Sequence, residues 1–308
     1  MTGSTRSFSV LRPVDALIII FALLLLVVNI VLSSHIPAWY WIACINIFAI
    51  VAVVLLARIA AVSKSSFIRI FYDWYPAPLI FFSFKEIYVM IQSLGRPDFD
   101  QVLITIDHWL FGVNPTVWLQ QFAMPWITEV LQIAYASFYI LMITTGLEPY
   151  LRKEHDKFSF IMFTFLYGFF LSYVGYLFVP GIGPRFTLHN FTTLNNDLPG
   201  LFCTDALRDF INAGESIPRG VVNAAALAQR DVFPSGHTEM TLLVMYLAAK
   251  FRLKSRYVLY VFGTLLIIAT VYLRYHYVID VIAGAAFMVF TVWCAPKLVR
   301  WWESFRRS

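Results

Sequence analysis

Two short segments of this 308-residue chain contain the side chains best suited to chemistry. Residues 234–238 read Pro-Ser-Gly-His-Thr and contain His237, while residues 276–280 begin at His276 and end at Asp280. Residues four apart lie on one face of a helix, so Asp280 is expected within reach of the His276 ring. Two imidazoles with a supporting carboxylate suit phosphoryl transfer through a phosphohistidine.

The residue types suggest a different role for each of the three side chains. His276 can be the nucleophile that attacks phosphorus. Asp280 can hold one nitrogen of that ring and favour the tautomer in which the other nitrogen keeps its lone pair free. His237 can be the general acid, because an imidazole donates and regains a proton near neutral pH.

Ser235, Gly236 and Arg185 are expected to bind the phosphate. Ser235 and Gly236 lie where a helix is predicted to begin, and backbone N–H groups at a helix start favour an anion. Arg185 can offer a bidentate guanidinium. His276 and Asp280 could instead be two ligands of a metal ion, but no third ligand has suitable spacing. We therefore expect no metal and no other cofactor.

The rest of the chain has the composition of a membrane protein. Hydrophobic residues make up 60% of it and charged residues only 13%, about half the charged fraction of a soluble protein. The apolar residues run in blocks close to the ~20 residues that cross a bilayer as a helix. The sequence predicts an all-α polytopic membrane helix bundle with about eight transmembrane helices, at about 14–33, 39–57, 71–92, 126–146, 158–179, 234–250, 257–274 and 277–296.

Three domains and two special segments are predicted. The N-terminal transmembrane helices occupy 1–157, the catalytic core 158–297 and a cytoplasmic basic tail 298–308. Residues 98–122 combine aspartates with apolar residues at helical spacing, which favours an interfacial helix lying on the membrane. The Gly- and Pro-containing loop 180–233 is long enough to be a lid or a substrate-binding element.

The positions of Lys and Arg predict the orientation in the membrane. With eight spans, sixteen of the 23 fall on the side of both termini and six on the other. The positive-inside rule makes the first side cytoplasmic. His237 and His276 would then face the periplasm of a bacterium or the lumen of a eukaryotic secretory membrane. The sixteen are Arg6, Arg12, Arg58, Lys64, Arg69, Arg152, Lys153, Lys157, Lys250, Arg252, Lys254, Arg256, Lys297, Arg300, Arg306 and Arg307.

Both histidine segments resemble signatures of a known family. Residues 233–238, Phe-Pro-Ser-Gly-His-Thr, resemble the second signature of the type 2 phosphatidic acid phosphatase (PAP2) superfamily. Residues 271–281 resemble its third signature, and the 39-residue separation of the histidines is also similar. The resemblance covers about 160–296. It implies a membrane helix bundle with a PAP2-like core, no metal requirement, and the roles given above to His276, Asp280 and His237.

The chain departs from these signatures at residues that usually bind phosphate. Thr270 stands where the third signature usually has arginine, while Phe178 and Phe186 stand where the first usually has lysine and proline. Arg274, one helical turn after Thr270, could restore one charge. This pattern is similar to the subgroup of inositol phosphorylceramide synthases and sphingomyelin synthases, which transfer a phospho-headgroup to a lipid or alcohol.

Two classes of function follow from these residues. The first is an integral-membrane lipid phosphatase or phosphotransferase, with a lipid phosphate as substrate and water or an alcohol or lipid as acceptor. The second is a non-catalytic lipid binder or transporter on a degenerate PAP2 fold. Neither involves nucleic acid. Lys85 and Glu86 lie within a predicted span, where charges are costly, so they either face a polar cavity or, for Lys85, reach towards the interface.

Overall fold

The computed structural model describes residues 10–37 and 39–307, and every regular element in those ranges is a helix. The all-α fold class is therefore confirmed. Arg6, part of the charge count, lies outside the described residues. The α-helices are α1 (Pro13–Val31), α2 (Trp39–Val62), α3 (Ser66–Trp74), α4 (Pro76–Leu94), α5 (Asp100–Phe111), α6 (Pro115–Trp118), α7 (Pro125–Ala136), α8 (Phe138–Leu151), α9 (His155–Phe178), α10 (Pro184–Thr187), α11 (Leu194–Asp197), α12 (Thr204–Gly214), α13 (Ala224–Leu227), α14 (Gly236–Lys250), α15 (Arg256–Tyr272) and α16 (Val278–Arg307).

Within the described ranges, five helical segments are long and apolar enough to cross a membrane. They are α1, α2, α3 together with α4, α9 and α16. The α7–α8 pair, which bends by 46°, makes a sixth if it forms one span. Helices α14 and α15 have 15 and 17 residues, fewer than the ~20 that a crossing needs. The predicted count of about eight spans is therefore not confirmed.

The chain divides into two units by its internal contacts. Unit 1 comprises residues 1–95, 154–170 and 290–308, and unit 2 comprises residues 96–153 and 171–289. Both histidine segments belong to unit 2. The domain boundaries at 157 and 297 stay predictions.

Lys85 and Glu86 belong to unit 1. Both line a mainly apolar cavity of about 630 Å³ bordered largely by α1, α2 and α4. Asn46 donates a hydrogen bond of 2.6 Å to Oε1 of Glu86, and the Lys85 Nζ lies 5.5 Å from the ring centroid of Phe81. A hydrogen-bond partner on α2 lowers the cost of placing the Glu86 carboxyl among apolar side chains.

In unit 2, helix α15 packs against both α14 and α7. An apolar cluster joins α7, the C-terminal end of α15 and the segment around α11. Its burial fixes the end of α15, from which the segment containing His276 leaves. The buried members are Leu131, Tyr135, Leu194, Leu198, Ala269, Tyr272, Leu273 and Tyr275.

Helix α5 forms the first half of segment 98–122, which the sequence predicts as an interfacial helix. Asp100, Leu103 and Asp107 are buried on one face, whereas apolar residues such as Val102 and Trp109 are exposed. The two aspartates share this face because they are separated by two helical turns. An exposed apolar face suits contact with lipid. The carboxylates point to the protein interior, where they meet backbone N–H groups.

Candidate active site

The segment that carries His276 begins with a Schellman turn at the end of α15. The N–H groups of Arg274 and Tyr275 donate to the carbonyls of Val271 and Thr270, both at 3.0 Å. Arg274 takes the left-handed conformation at φ +68°, where helices usually carry glycine. The His276 N–H also donates to the Thr270 carbonyl, at 2.9 Å. This turn reverses the chain sharply and places His276 just before α16.

The His276 side chain is buried and has two acceptors at Nδ1. The Val232 carbonyl oxygen lies 3.0 Å from Nδ1, and Oδ2 of Asp280 lies 3.5 Å away. The same Oδ2 accepts the Tyr277 N–H at 2.7 Å. A proton on Nδ1 donates to the Val232 carbonyl and leaves the Nε2 lone pair free. In the described part of the chain, no group of three or more His, Cys, Asp and Glu side chains could hold a metal ion.

The surroundings of His276 favour its neutral form. Burial lowers the pKa of its imidazole well below the ordinary value, and the charges of His237 and Arg185 lower it further. The hydrogen bond to the Val232 carbonyl opposes this shift. A neutral imidazole is the form that can act as a nucleophile.

The second histidine lies in the first turn of α14, close to the first. The ring centroids of His237 and His276 are 5.7 Å apart. His237 stacks on Tyr135 at 4.6 Å and contacts Phe138 at 4.4 Å, so two aromatic rings of α7 and α8 hold it in place. The structure thus brings together two histidines that are far apart in the sequence.

Ser235 and Gly236 form the start of α14. The Ser235 Oγ accepts the Thr238 N–H at 3.2 Å, so this hydroxyl caps the helix. The Ser235 N–H donates to the Asp280 carbonyl at 3.0 Å and joins the two histidine segments directly. A Cβ on Gly236 would lie 2.4 Å from the Tyr176 hydroxyl, so only glycine fits beside this ring.

Arg185 lies buried beside the histidine pair. Its guanidinium lies 4.7 Å from the Tyr275 ring centroid. One terminal nitrogen forms an ion pair with Glu215, and the other donates to Asn212 at 3.3 Å. Among the described residues, its Nε has no hydrogen-bond partner. The predicted phosphate ligand is therefore near the candidate nucleophile, but its terminal nitrogens contact α12 and the residue after it.

Arg274 is fully buried and forms an ion pair with Asp197, at 2.9 Å from Nη1. This pairing lowers the pKa of the Asp197 carboxyl. Burial and the Arg274 charge lower the pKa of His189 to about 4. The Nε and Nη2 atoms of Arg274 have no hydrogen-bond partner within the described ranges, and these two atoms form one edge of the guanidinium. That edge carries two donors in the planar arrangement that suits a bidentate acceptor.

Asp107 is a positioning residue that the sequence reasoning did not identify. Its carboxylate oxygens accept the N–H groups of Val278 and Ile279, both at 2.8 Å. These are the first N–H groups of α16, which lack partners inside their own helix. Asp107 therefore caps from α5 the helix that carries Asp280. Its seven-residue spacing from Asp100 was a usable signal, since it puts both acids on one face.

Asp100 holds the other side of the same region. Its carboxylate accepts the N–H groups of Ile182 and Gly183 at 2.9 and 2.8 Å, and the Tyr277 hydroxyl at 2.8 Å. It thereby fixes the turn that precedes Arg185.

Glu129 on α7 has a similar role for the segment before α12. Its carboxylate accepts the N–H groups of Leu201 and Cys203, both at 2.8 Å, and the Thr204 hydroxyl at 2.6 Å. It therefore anchors the start of the helix whose other end contacts Arg185. A glutamate inside a predicted span was the signal for this residue.

One of the comparisons with known proteins found a match. A family model described as PAP2 superfamily matches residues 101–294, which is more than half of the chain and includes every candidate site residue. The chain belongs to the PAP2 superfamily. Together with the long apolar helices, this membership indicates an integral membrane protein and suggests a phosphatase-like lipid phosphoesterase. No curated protein and no solved structure matches the chain.

We predict that His276 stays neutral, with its proton on Nδ1, when the pH falls through about 6.5, the ordinary pKa of histidine. Burial of the ring holds the pKa of His276 below its ordinary value, and the Val232 carbonyl at 3.0 Å from Nδ1 holds the proton of the neutral ring on that nitrogen. Nitrogen-15 NMR of histidine-labelled protein, assigned with His276→Ala, measures both the tautomer and the midpoint. A midpoint at or above the ordinary value would contradict the prediction.

We predict that Asp107→Asn destabilises the candidate site from a distance. The amide keeps one acceptor and loses the second, which costs about 1–2 kcal/mol of stability. Thermal unfolding in detergent measures the loss, and the resonance of His276 should broaden or shift because α16 starts beside it. Gln101→Ala, at an exposed position of α5, is the control. Equal effects of both substitutions would show that Asp107 is not a specific cap.

Proposed function

We propose that this protein is a lipid phosphatase or phosphotransferase that acts through a phosphohistidine on His276. The observation that carries the proposal is the neighbourhood of two histidine rings, 5.7 Å apart, one of which bonds through Nδ1 to a backbone carbonyl. This arrangement favours a nucleophilic nitrogen on His276. The negative charge of a bound phosphate ester favours the protonated, donating form of His237, against burial and the Arg185 charge, which lower its pKa to about 4. Membership of the PAP2 superfamily supports the same chemistry.

In the first step, the Nε2 lone pair of His276 attacks the phosphorus of a lipid phosphate ester. A nitrogen–phosphorus bond forms while the bond from phosphorus to the lipid oxygen breaks. His237 gives its proton to that oxygen, so the lipid leaves as a neutral alcohol. The proton on Nδ1 stays in its hydrogen bond to the Val232 carbonyl. The Asp280 carboxylate, 3.5 Å from Nδ1, stabilises the positive ring.

In the second step, an acceptor hydroxyl attacks the phosphohistidine. It gives its proton to His237 as its oxygen bonds to phosphorus, and the nitrogen–phosphorus bond breaks. Water as acceptor gives free phosphate, and an alcohol gives a new phosphate ester. His276 is only 4% exposed, and exclusion of water from the site supports transfer to a bound alcohol.

Arg185 and the N-terminus of α14 are proposed to bind the phosphate oxygens. Support comes from the Arg185 charge, which acts on His276, and from the 15-residue helix that begins at Gly236, whose first N–H groups can receive an anion. The Ser235 side chain contributes as the helix cap. Arg274 is proposed to bind a phosphate oxygen through its Nε and Nη2 edge.

The site is proposed to face the extracytoplasmic side of the membrane, with the termini in the cytoplasm. The support is the distribution of Lys and Arg along the chain, which puts sixteen of the 23 on the side of the termini with the eight spans predicted from the sequence.

We predict that His276→Ala lowers turnover of a lipid phosphate by at least about a thousandfold, as expected for loss of a nucleophile. Thin-layer chromatography of a short-chain phosphatidic acid in mixed micelles measures the loss, and thermal unfolding checks the fold. His108→Ala, at an exposed histidine of α5, is the matched control. Undiminished turnover by a folded His276→Ala variant would refute the mechanism. No turnover by the wild type of any lipid phosphate would favour the non-catalytic lipid binder.

A second assay separates hydrolysis from transfer. Purified protein is incubated with a labelled phospholipid, with and without inositol or ceramide as acceptor. We predict a labelled exchange product that depends on the acceptor, because the buried site disfavours water. Free phosphate as sole product under all conditions would contradict transfer to an alcohol. It would still be consistent with a phosphohistidine intermediate.

A further inference from the structure

Helix α12 and the residue after it contact the arginine that we propose as the phosphate ligand. The Glu215 carboxylate forms an ion pair with Nη2 of Arg185, and Oδ1 of Asn212 accepts from Nη1 at 3.3 Å. Asn212 and Glu215 lie three residues apart, so they reach the guanidinium from one face of the helix. Both terminal nitrogens of Arg185 are therefore occupied by groups of the protein itself.

This occupation matters because a carboxylate and a phosphate offer the same kind of acceptor. Both present two or more anionic oxygens to a guanidinium in a planar, bidentate arrangement. The side chain of Arg185 is only 6% exposed and that of Glu215 only 17%, so a second anion has no open approach to the same nitrogens. A phosphate oxygen can take the contact that Glu215 makes with Nη2 only if Glu215 leaves.

Arg185 does not depend on Glu215 to hold its position. Its backbone N–H donates to the Arg274 carbonyl at 3.0 Å, and its guanidinium contacts the rings of Tyr275 and Phe186, with 4.7 Å to each centroid. Two aromatic rings and a backbone hydrogen bond are sufficient to fix its direction. Glu215 therefore occupies a terminal nitrogen of Arg185 but is not needed to orient its side chain.

We propose that Glu215 occupies on Arg185 the place of a substrate phosphate oxygen, and that phosphate binding displaces Glu215 together with the end of α12. This inference rests on the proposed function, since it assumes that Arg185 binds the phosphate. Glu215 is thus a competitor built into the site, which lowers the affinity for any phosphate by the free energy of its own ion pair.

The test is the affinity for inorganic phosphate of the purified full-length protein, measured by isothermal titration calorimetry in detergent. Glu215→Gln keeps the shape of the side chain and removes its charge, so we expect phosphate to bind about tenfold more tightly, within the usual range of coupling between two ligands. Asp209→Asn is the matched control. It removes one negative charge from α12 at a half-buried position, 3.6 Å from Arg219, and should leave the affinity unchanged.

Unchanged or weaker phosphate binding by a folded Glu215→Gln variant would overturn the proposal, since a carboxylate that merely supports Arg185 gives that result. A second measurement uses only the wild type and needs no variant to fold. Hydrogen exchange of the amides of α12 should become faster when phosphate is added, because the contact with Arg185 is lost. Slower or equal exchange would also overturn the proposal.

The two proposals fail in different ways. If lipid phosphate is turned over by the wild type and lost in His276→Ala, while Glu215→Gln does not bind phosphate more tightly, only the role of Glu215 is refuted. If the wild type neither turns over a lipid phosphate nor binds inorganic phosphate, the proposed function itself is refuted.

Discussion

Backbone N–H groups around the histidine pair must find acceptors within the protein, because a membrane interior offers little water to replace them. Buried carboxylates supply these acceptors. Asp107 accepts the first N–H groups of α16, Asp100 those of the turn before Arg185, and Glu129 those before α12. Each carboxylate joins a loop to a helix distant in sequence. These carboxylates, in the place of water, position the starts of α16 and α12 and the turn before Arg185.

A second level of coupling joins the two histidine segments to each other. The Ser235 N–H donates to the Asp280 carbonyl, and the Val232 carbonyl faces the His276 ring. The first bond fixes the start of α14 against the start of α16, and the second orients the imidazole of one segment by the backbone of the other. A shift of either helix would therefore disturb both histidines together. The distance between the two rings is therefore set by the starts of α14 and α16 and not by the side chains alone.

Residue type and spacing were sufficient to select His237, His276, Asp280 and Arg185, because few polar residues occur in this chain and each of these suits phosphate chemistry. The all-α fold also followed from composition. The Val232 carbonyl could not be found in this way, since a backbone acceptor has no signature in residue type. The capping role of Asp107 needs the packing of α5 against the start of α16, which spacing alone does not determine. The count of about eight spans is not confirmed, because α14 and α15, predicted as spans, have 15 and 17 residues, fewer than the ~20 that a crossing needs.

The left-handed backbone of Arg274 has a consequence for how this chain tolerates change. An L-residue other than glycine in that conformation costs roughly 1 kcal/mol or more, so selection for stability alone would favour glycine at φ +68°. Arginine therefore occupies this position despite the free-energy cost of its backbone conformation. Thr270 lies on α15 itself, whereas Arg274 lies in the turn that ends this helix. A cation in the turn moves with the segment that carries His276, whereas a cation on the helix would stay with α15.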